Sequence, residues 1–239
     1  PGLVTRKLSS GAKCVSVAFE SACKFINNPN CYVNGNPIRS AFQSLSKEEA
    51  RKNLGLQNKL TLLVMGGSQG ARTINDATVG VIQAFSKEFD IQVIFQTGKK
   101  NYDRVIEQLI RDYPQYESDK NLIVKPYFED MVTVLKASDI AISRSGSLSI
   151  SEISASRVAP IFVPYPHAAA DHQRKNAKFM VEKGAGLYIE DSDANEKTFY
   201  SAISNLVNDK DKLQELQKKS LALAKYDGTK KIIEQLKSI

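Results

Sequence analysis

The chain has 239 residues, of which 42% are hydrophobic and 25% charged, and its formal net charge is +7. These values are ordinary for a globular protein, and the length suffices for one large domain plus part of another. No stretch approaches the ~20 apolar residues of a membrane-spanning helix, and the start lacks the apolar core of a secretion signal. The sequence also lacks a basic run interleaved with aromatic residues, which argues against nucleic acid as a partner.

The excess positive charge lies at the two ends of the chain. Residues 1–40 carry a net charge of +4 and residues 208–239 a net charge of +3, whereas residues 41–207 are neutral. Two interpretations stay open. The charges lie on solvated helix faces, or they form a patch that faces an anionic membrane surface if the two ends meet in space.

Three cysteines, Cys14, Cys23 and Cys31, occur close together near the start of the chain. Their spacings match no zinc or redox pattern. An odd number of cysteines without a secretion signal predicts free thiols in a reducing compartment, where they serve as small buried hydrophobic side chains.

Residues 1–40 differ in pattern from the rest of the chain. They contain a helix-like start and short apolar runs at residues 14–18 and 31–33, followed by a turn with Asn-Gly and Asn-Pro. About 40 residues cannot bury a useful core alone, so this segment is predicted to be the tail of a second domain. After it, Ser46 with Glu49 three residues later predicts a capped helix that ends near Gly55.

From residue 60 onward, short apolar runs alternate with amphipathic stretches. The runs cover residues 60–65, 91–96, 122–125, 140–143, 160–163 and 186–189. The amphipathic stretches cover residues 71–85, 102–112, 131–137, 149–156 and 173–183. Continuous apolar runs are typical of parallel strands buried on both faces, and their alternation with helices predicts an α/β fold with a doubly wound parallel sheet.

A glycine-rich turn follows the first of these strands and opens a helix. It consists of Gly66, Gly67, Ser68, Gln69 and Gly70. Backbone N–H groups at a helix N-terminus are unpaired and favour negative charge, and glycine lets a phosphate approach the backbone. The spacing is neither a P-loop nor GxGxxG, which disfavours a kinase or an NAD-dependent enzyme. The turn therefore predicts an anion site, with a purely structural tight turn as the alternative.

A second polar turn follows the fourth strand and also opens a helix. It runs from Arg144 to Ser149 and includes Ser147 and Leu148, with Glu152 about one helical turn into the helix. The turn offers further N–H groups and hydroxyls, and the carboxylate is suited to accept both hydroxyls of a ribose. The alternative is that Glu152 only complements the helix dipole.

The loop after the fifth strand carries both histidines of the chain. Asp171, His172, Gln173 and Asn176 cluster around the start of the next helix. Glutamine and asparagine both donate and accept hydrogen bonds, which suits sugar hydroxyls. Two alternatives stay open: a metal site that includes His167, although the spacing fits no standard set, and Asp171 as a plain helix N-cap.

Taken together, these segments resemble the MurG family, bacterial enzymes that transfer N-acetylglucosamine from UDP-N-acetylglucosamine to lipid I, an undecaprenyl-pyrophosphoryl-muramyl-peptide. The match runs over nearly the whole chain in the family's order and spacing. The matching segments are GNPIR at residues 35–39, GGSQGA at 66–71, YFEDM at 127–131, RSGSLSISE at 144–152, and DHQ with NA at 171–177.

The resemblance implies a GT-B fold, in which two Rossmann-like domains face each other across a cleft and the second domain holds the donor. The implied donor-binding residues are Arg39, Gly67, Ser68, Gln69, Gly70, Phe128, Met131, Ser147, Leu148, Ser149, Glu152, His172 and Gln173. Phe128 would sit against the uracil, Glu152 would hold the ribose, and Arg39 would reach a phosphate oxygen. The glycine-rich turn and the helix start at residues 147–149 would hold the diphosphate. Gln173, with His172, would contact the sugar hydroxyls.

The resemblance also implies a division of the chain. Residues 1–38 would be a C-terminal remnant of the acceptor domain, residues 39–207 the donor domain, and residues 208–239 helices that cross back toward the first domain. The family's histidine-bearing glycine-rich loop and its His-Glu-Gln-Asn segment do not occur in this sequence. The expected general base belongs to that part, so no catalytic residue is assigned and this chain alone is expected to bind the donor with little or no transfer.

The implied partners are UDP-N-acetylglucosamine, lipid I and an anionic membrane surface, and no metal or other cofactor is implied. The implied location is peripheral, on the cytoplasmic face of the bacterial plasma membrane, in peptidoglycan precursor synthesis. Two alternatives stay open: a donor-binding subunit of another lipid glycosyltransferase, and a non-catalytic module that binds nucleotide sugars.

Overall fold

The computed structural model describes residues 2–238 except for the side chain of Ser21, so Pro1 and Ile239, at the outer ends of the predicted first and third segments, lie outside the described residues. The strands are β1 Val15–Val17, β2 Cys31–Val33, β3 Thr61–Met65, β4 Gln92–Gln96, β5 Leu122–Lys125, β6 Ile140–Ser143, β7 Ala159–Phe162 and β8 Leu187–Tyr188. The helices are α1 Leu3–Ser9, α2 Glu20–Cys23, α3 Ala41–Ser44, α4 Lys47–Asn53, α5 Arg72–Lys87, α6 Tyr102–Asp112, α7 Met131–Ala137, α8 Ser147–Ala155, α9 His172–Glu182, α10 Glu196–Asn208, α11 Lys210–Ala222 and α12 Gly228–Lys237.

Six parallel strands form the main sheet in the order β5-β4-β3-β6-β7-β8. Each predicted run is a strand whose ends lie within one residue of the prediction, and β3 and β4 are buried along their full length. The α/β class with a doubly wound parallel sheet is therefore confirmed. The strand order reverses direction between β3 and β6, which leaves a crevice outside the carboxyl ends of these two strands.

The side chains of β3 alternate between two hydrophobic cores. Leu62 and Val64 face the core formed with α5, α6 and α10, whereas Leu63 and Met65 face the core formed with α7, α8 and α9. This is the period of two that a strand imposes. Because a slip by one residue would exchange the two sets, burial of both faces fixes the register of the strand.

The predicted helices also form, with ends that differ from the prediction by up to two residues. The helix before the main sheet has the predicted capping box between Ser46 and Glu49, and Gly55 follows it with a positive φ of 68°. The helix after β6 begins at Ser147 rather than at Ser149. This shift places Ser147 in the first turn of α8, where helix N–H groups lack partners.

Strands β1 and β2 form a separate parallel pair with a small core of Val15, Val17 and Ile26. The prediction of three free thiols is wrong for two of them, because Cys23 and Cys31 form a disulfide with Cα atoms 5.9 Å apart. The short helix α2 brings Cys23 onto the start of β2, and no spacing rule in the sequence indicated that approach. Cys14 is a free, half-buried cysteine.

The last two helices pack on different parts of the molecule. The side chains of Leu213 and Leu216 in α11 belong to the core of the main sheet. Within the predicted segment 208–239, helix α12 lies near the residues that follow β2. Gln235 Oε1 in α12 accepts a hydrogen bond of 2.8 Å from Asn34 Nδ2. Lys225, between the two helices, donates to the carbonyl oxygen of Val33 at 3.0 Å. Within residues 2–238, no helix is long and apolar enough to span a membrane.

Candidate functional site

The predicted polar turns meet at the crevice between β3 and β6. Residues 66–70 connect β3 to α5, and residues 144–146 connect β6 to α8. Both helices therefore direct their N-termini toward the same edge of the sheet. Neither α5 nor α8 has a side-chain N-cap, and no acidic residue occupies the first turn of either helix. The first N–H groups and the dipoles of both helices favour negative charge at this edge, and the binding of an anion there stays a prediction.

The turn before α5 is held by close backbone contacts with the loop after β4. Gly70 has a φ of 77°, and a Cβ at this position would lie 2.1 Å from the carbonyl oxygen of Thr97. A Cβ on Gly98 would lie 2.3 Å from the backbone nitrogen of Gly70. Only glycine permits this approach at both positions. The side chains of Ser68 and Gln69 are left exposed, as a role in ligand binding requires.

The turn before α8 is held by side chains from α9. The Oε1 of Gln173 accepts from the backbone N–H of Ser145 at 3.3 Å and from that of Tyr165 at 3.0 Å. Asn176 Nδ2 donates to the carbonyl oxygen of Ser145 at 3.1 Å. Gln173, which the resemblance placed at the sugar, thus joins two loops through its oxygen. Its Nε2 makes no hydrogen bond to another of the described residues.

A contact from outside the main sheet reaches the start of α8. The side-chain Nδ2 of Asn36 donates to Ser147 Oγ at 2.8 Å and to Ser151 Oγ at 3.0 Å. Asn36 belongs to the GNPIR segment, but sequence reasoning assigned it no role. Leu148 is 50% exposed and Ser149 is half-buried, so the first turn of the helix is open to solvent.

Glu152 lies one turn further along α8 and is half-buried. Burial raises the pKa of Glu152, and the positive charge of Arg39 partly opposes this shift. The pKa of Asp130 is lowered, first by a hydrogen bond from the Thr133 side chain and to a smaller extent by Arg39. Arg39 is exposed and acts on both carboxylates, partners that the sequence did not indicate. Its contact with a phosphate oxygen stays a prediction.

The loop after β5 contacts the glycine-rich turn through Gln96, at the end of β4. Gln96 Oε1 accepts from the N–H of Phe128 at 2.9 Å, and its Nε2 donates to the carbonyl oxygen of Gly67 at 3.4 Å. The ring of Phe128 is buried in the core, and Met131 packs against the same core. The N–H of Phe128 is therefore already paired with Gln96, and the predicted position of Phe128 against a uracil stays a prediction. Sequence reasoning missed Gln96 because a polar strand end carries no motif.

The loop before α9 differs from the N-cap interpretation of Asp171. This residue has a left-handed backbone with a φ of 57°, and its carboxylate pairs with Arg174 at 3.2 Å. Asp171 is therefore not a side-chain N-cap, because capping requires an extended backbone that directs the side chain to the helix amides. His172 is exposed, and its Nδ1 lies 2.7 Å from the carbonyl oxygen of Ala169.

The metal-site alternative for this loop finds no support in the geometry. The ring of His167 packs edge-on against Tyr165, with centroids 5.6 Å apart. Nowhere in residues 2–238 do three or more histidine, cysteine, aspartate or glutamate side chains form a group that could hold a metal ion.

An ionic cluster that the sequence did not reveal joins the ends of three elements. Arg144 donates to the carbonyl oxygens of Val163 at 3.0 Å and Pro164 at 3.1 Å, and it pairs with Asp191. Asp191 also accepts from Thr73 Oγ1, in the first turn of α5, at 2.6 Å. The cluster fixes the two helix starts relative to each other.

The parallel strand order defines a Rossmann-like α/β domain, and two helix N-termini without side-chain caps lie at its switch point. Residues 61–236 match the model of the glycosyltransferase family 28 C-terminal domain. This match covers most of the chain, and the chain belongs to that family.

Named relatives agree with this assignment. The chain is 33% identical over 241 residues to the UDP-N-acetylglucosamine–N-acetylmuramyl-(pentapeptide) pyrophosphoryl-undecaprenol N-acetylglucosamine transferase of Desulforamulus reducens. The alignment covers 100% of this chain, and the chain spans 65% of that relative's length. The resemblance predicted from the sequence is therefore confirmed.

Two solved structures show the same fold. Acinetobacter baumannii MurG has a TM-score of 0.74 at 23% identity, covering 100% of this chain and 64% of that chain. The co-structure of MnaA from S. aureus with UDP has a TM-score of 0.67 at 13% identity, covering 90% of this chain and 56% of that chain. The predicted GT-B type of domain is confirmed.

Proposed function

We propose that this chain is the donor-binding part of a transferase that moves N-acetylglucosamine from UDP-N-acetylglucosamine to an undecaprenyl-pyrophosphoryl-muramyl-peptide. The observation that carries the proposal is the pair of uncapped helix N-termini, α5 and α8, that converge on one crevice. Similarity to the N-acetylglucosamine transferase of Desulforamulus reducens, at 33% identity, supports the choice of donor and acceptor. The structure of MnaA in complex with UDP shows the same fold, which supports a uridine diphosphate as part of the ligand.

In this proposal, each wall of the crevice holds one part of the donor. The exposed Ser68 and Gln69 and the N–H groups of α5 and α8 bind the diphosphate. Glu152 accepts hydrogen bonds from the ribose hydroxyls, and the carbonyl oxygen of Phe128 accepts from the uracil. Gln173 donates to the sugar through its Nε2.

The proposed reaction is an inverting displacement. A hydroxyl of the muramyl sugar attacks the anomeric carbon of N-acetylglucosamine, the bond to the UDP oxygen breaks, and a base takes the hydroxyl proton. Negative charge grows on the leaving diphosphate as the bond breaks. The fixed N–H groups of the two helix starts stabilise that charge, and this lowers the barrier.

The division of the chain and its location belong to the same proposal. Residues 1–38 form the acceptor-side segment, residues 39–207 the donor domain, and residues 208–239 the C-terminal helices. The net charges of +4 for residues 1–40 and +3 for residues 208–239 support peripheral contact with an anionic membrane on the cytoplasmic side.

Calorimetric titration with UDP, UDP-N-acetylglucosamine and UDP-galactose tests the proposal. We expect UDP and UDP-N-acetylglucosamine to bind, and we expect Glu152→Ala to weaken both by about tenfold through loss of the charged acceptor. Glu107→Ala, an exposed carboxylate change on α6, serves as the control and should bind as the unchanged protein does. A folded sample that binds no UDP would contradict the proposal.

A further inference from the structure

The contact of Asn36 with α8 brings a residue of the GNPIR segment to the proposed diphosphate site. Asn36 Nδ2 lies 2.8 Å from Ser147 Oγ and 3.0 Å from Ser151 Oγ, so both hydrogens of the amide are used. The two serines stand one helical turn apart on the same face of α8. Asn36 itself lies in the segment that joins β2 to the donor domain.

The hydrogen-bond directions at this contact follow from the number of hydrogens available. A serine hydroxyl donates one hydrogen and accepts through its oxygen. Ser151 Oγ uses its hydrogen on the carbonyl oxygen of Ser147, at 3.2 Å. It can therefore only accept from Asn36, which identifies the atom of Asn36 that faces the helix as the nitrogen rather than the oxygen.

The same nitrogen donates to Ser147, whose oxygen thus acts as an acceptor toward Asn36. The hydroxyl hydrogen of Ser147 is left to donate elsewhere, and it has no acceptor among the described residues. Ser147 lines a cavity of about 350 Å³ that lies between the start of α8, the residues around the start of α9 and the segment of residues 2–36, and no residue of the glycine-rich turn lines it. At the first residue of α8, this hydrogen adds a side-chain donor to the N–H groups of the anion site.

We propose that Asn36 is a positioning residue that orients the Ser147 hydroxyl as a donor to the diphosphate of the nucleotide sugar. The inference rests on the proposed function, since it assumes that a diphosphate binds at the start of α8. The inference adds that Asn36, a residue outside the main sheet, completes the donor site. Donor affinity therefore depends on how the segment after β2 sits against α8.

Asn36→Asp tests this inference because it keeps the shape and reverses the hydrogen bonds. A carboxylate only accepts, so Ser147 turns its hydrogen toward residue 36 and away from the ligand, and a negative charge lies beside the diphosphate. We expect UDP to bind at least about tenfold more weakly. Uridine, which has no diphosphate, should bind as before in ligand-detected NMR. The melting midpoint should change little, because a carboxylate is compatible with a helix N-terminus.

Asn34→Asp is the matched control, with the same charge change two residues earlier. Asn34 Nδ2 bonds to Ser16 Oγ at 3.1 Å and to Gln235 Oε1 at 2.8 Å, away from α8. The Nε2 of Gln235 is buried without a partner, so rotation of its amide lets it donate to the new carboxylate. We expect this variant to bind UDP as the unchanged protein does.

A double-mutant cycle with Asn36→Ala and Ser147→Ala provides a second test that does not depend on the charged variant. Asn36→Ala alone should weaken UDP binding about two- to fivefold, but it should have no further effect once Ser147 is alanine. The inference is overturned if Asn36→Asp binds UDP normally, if UDP and uridine weaken equally, or if the two alanine effects simply add. Absence of UDP binding by the unchanged protein would instead refute the proposed function, before any variant is compared.

Discussion

The turn before α5 and the turn before α8 each present a helix N-terminus at the same edge of the sheet, but they are held in different ways. Residues 66–70 keep their shape chiefly through backbone contacts, in which Gly70 and Gly98 lie against each other's loops, and side-chain amides of Gln96 and Asn101 also donate to their carbonyl oxygens. Residues 144–146 are held by side chains from other elements, chiefly Gln173 and Asn176.

Because of this difference, the two turns tolerate different substitutions. A turn built from close backbone contacts accepts no added side chain at its contact points. A turn built from distant side chains can be altered by substitutions far away in sequence. The first turn is therefore sensitive to side chains added at its glycines, and the second to substitutions in α9.

The largest expected effect is that of Gly70→Ala on the first turn. The added Cβ would lie 2.1 Å from the Thr97 carbonyl oxygen, at a φ of 77° that alanine disfavours. We expect the free energy of unfolding to fall by about 3–5 kcal/mol, measured by chemical denaturation. Gly67→Ala is the control, because φ is 86° but no atom lies within 4 Å of the new Cβ. It should cost about 1 kcal/mol. Equal losses for the two variants would mean that backbone strain, rather than loop contact, holds this turn.

Substitution of Gln173 gives the next effect, on the second turn. Gln173→Met removes the acceptor for two backbone N–H groups and should lower the free energy of unfolding by about 2 kcal/mol. Gln173→Glu keeps the acceptor oxygens and should be less destabilising. Because it removes the Nε2 donor, it should still weaken UDP-N-acetylglucosamine relative to UDP in calorimetry. An unchanged ratio of these two affinities in Gln173→Glu would limit Gln173 to a structural role.

The smallest expected effect concerns Glu152, whose pKa is raised by burial. Below its unfolded pKa the carboxyl is protonated in both states, whereas above the folded pKa the folded protein holds a buried charge that destabilises it. Glu152→Gln should therefore raise the melting midpoint by about 1–3 °C at pH 7. The gain should vanish below about pH 4.

Glu49→Gln is the control for Glu152, because it should have the opposite sign. Hydrogen bonds from Ser46 lower the pKa of Glu49, so its ionised form stabilises the folded state. That stability is present above the unfolded pKa and is lost as the pH falls through the lowered one. The variant should therefore melt lower at pH 7. A lower melting midpoint for Glu152→Gln at pH 7 would contradict a buried, destabilising charge at Glu152 in α8.

Much of the arrangement of strands and helices could be predicted, because the sequence patterns that indicate it are local. Apolar runs such as residues 140–143 mark buried parallel strands, and the capping box at Ser46 marks a helix start within four residues. The glycine-rich turn was predicted for the same reason. Its contact with Gly98 was not, since nothing in residues 66–70 indicates which loop lies opposite.

The amino-acid sequence by itself determined the alternation of strands and helices, the position of both polar turns and the resemblance to a family of transferases. The tertiary structure decided which side chains hold the second turn, that Cys23 and Cys31 are joined, and that Asn36 reaches Ser147. The physical reason is the sequence distance over which each interaction acts. Helix caps, glycine turns and apolar periodicity act over a few residues. The Asn36 contact spans 111 positions and exists only once the sheet has brought both segments to one edge.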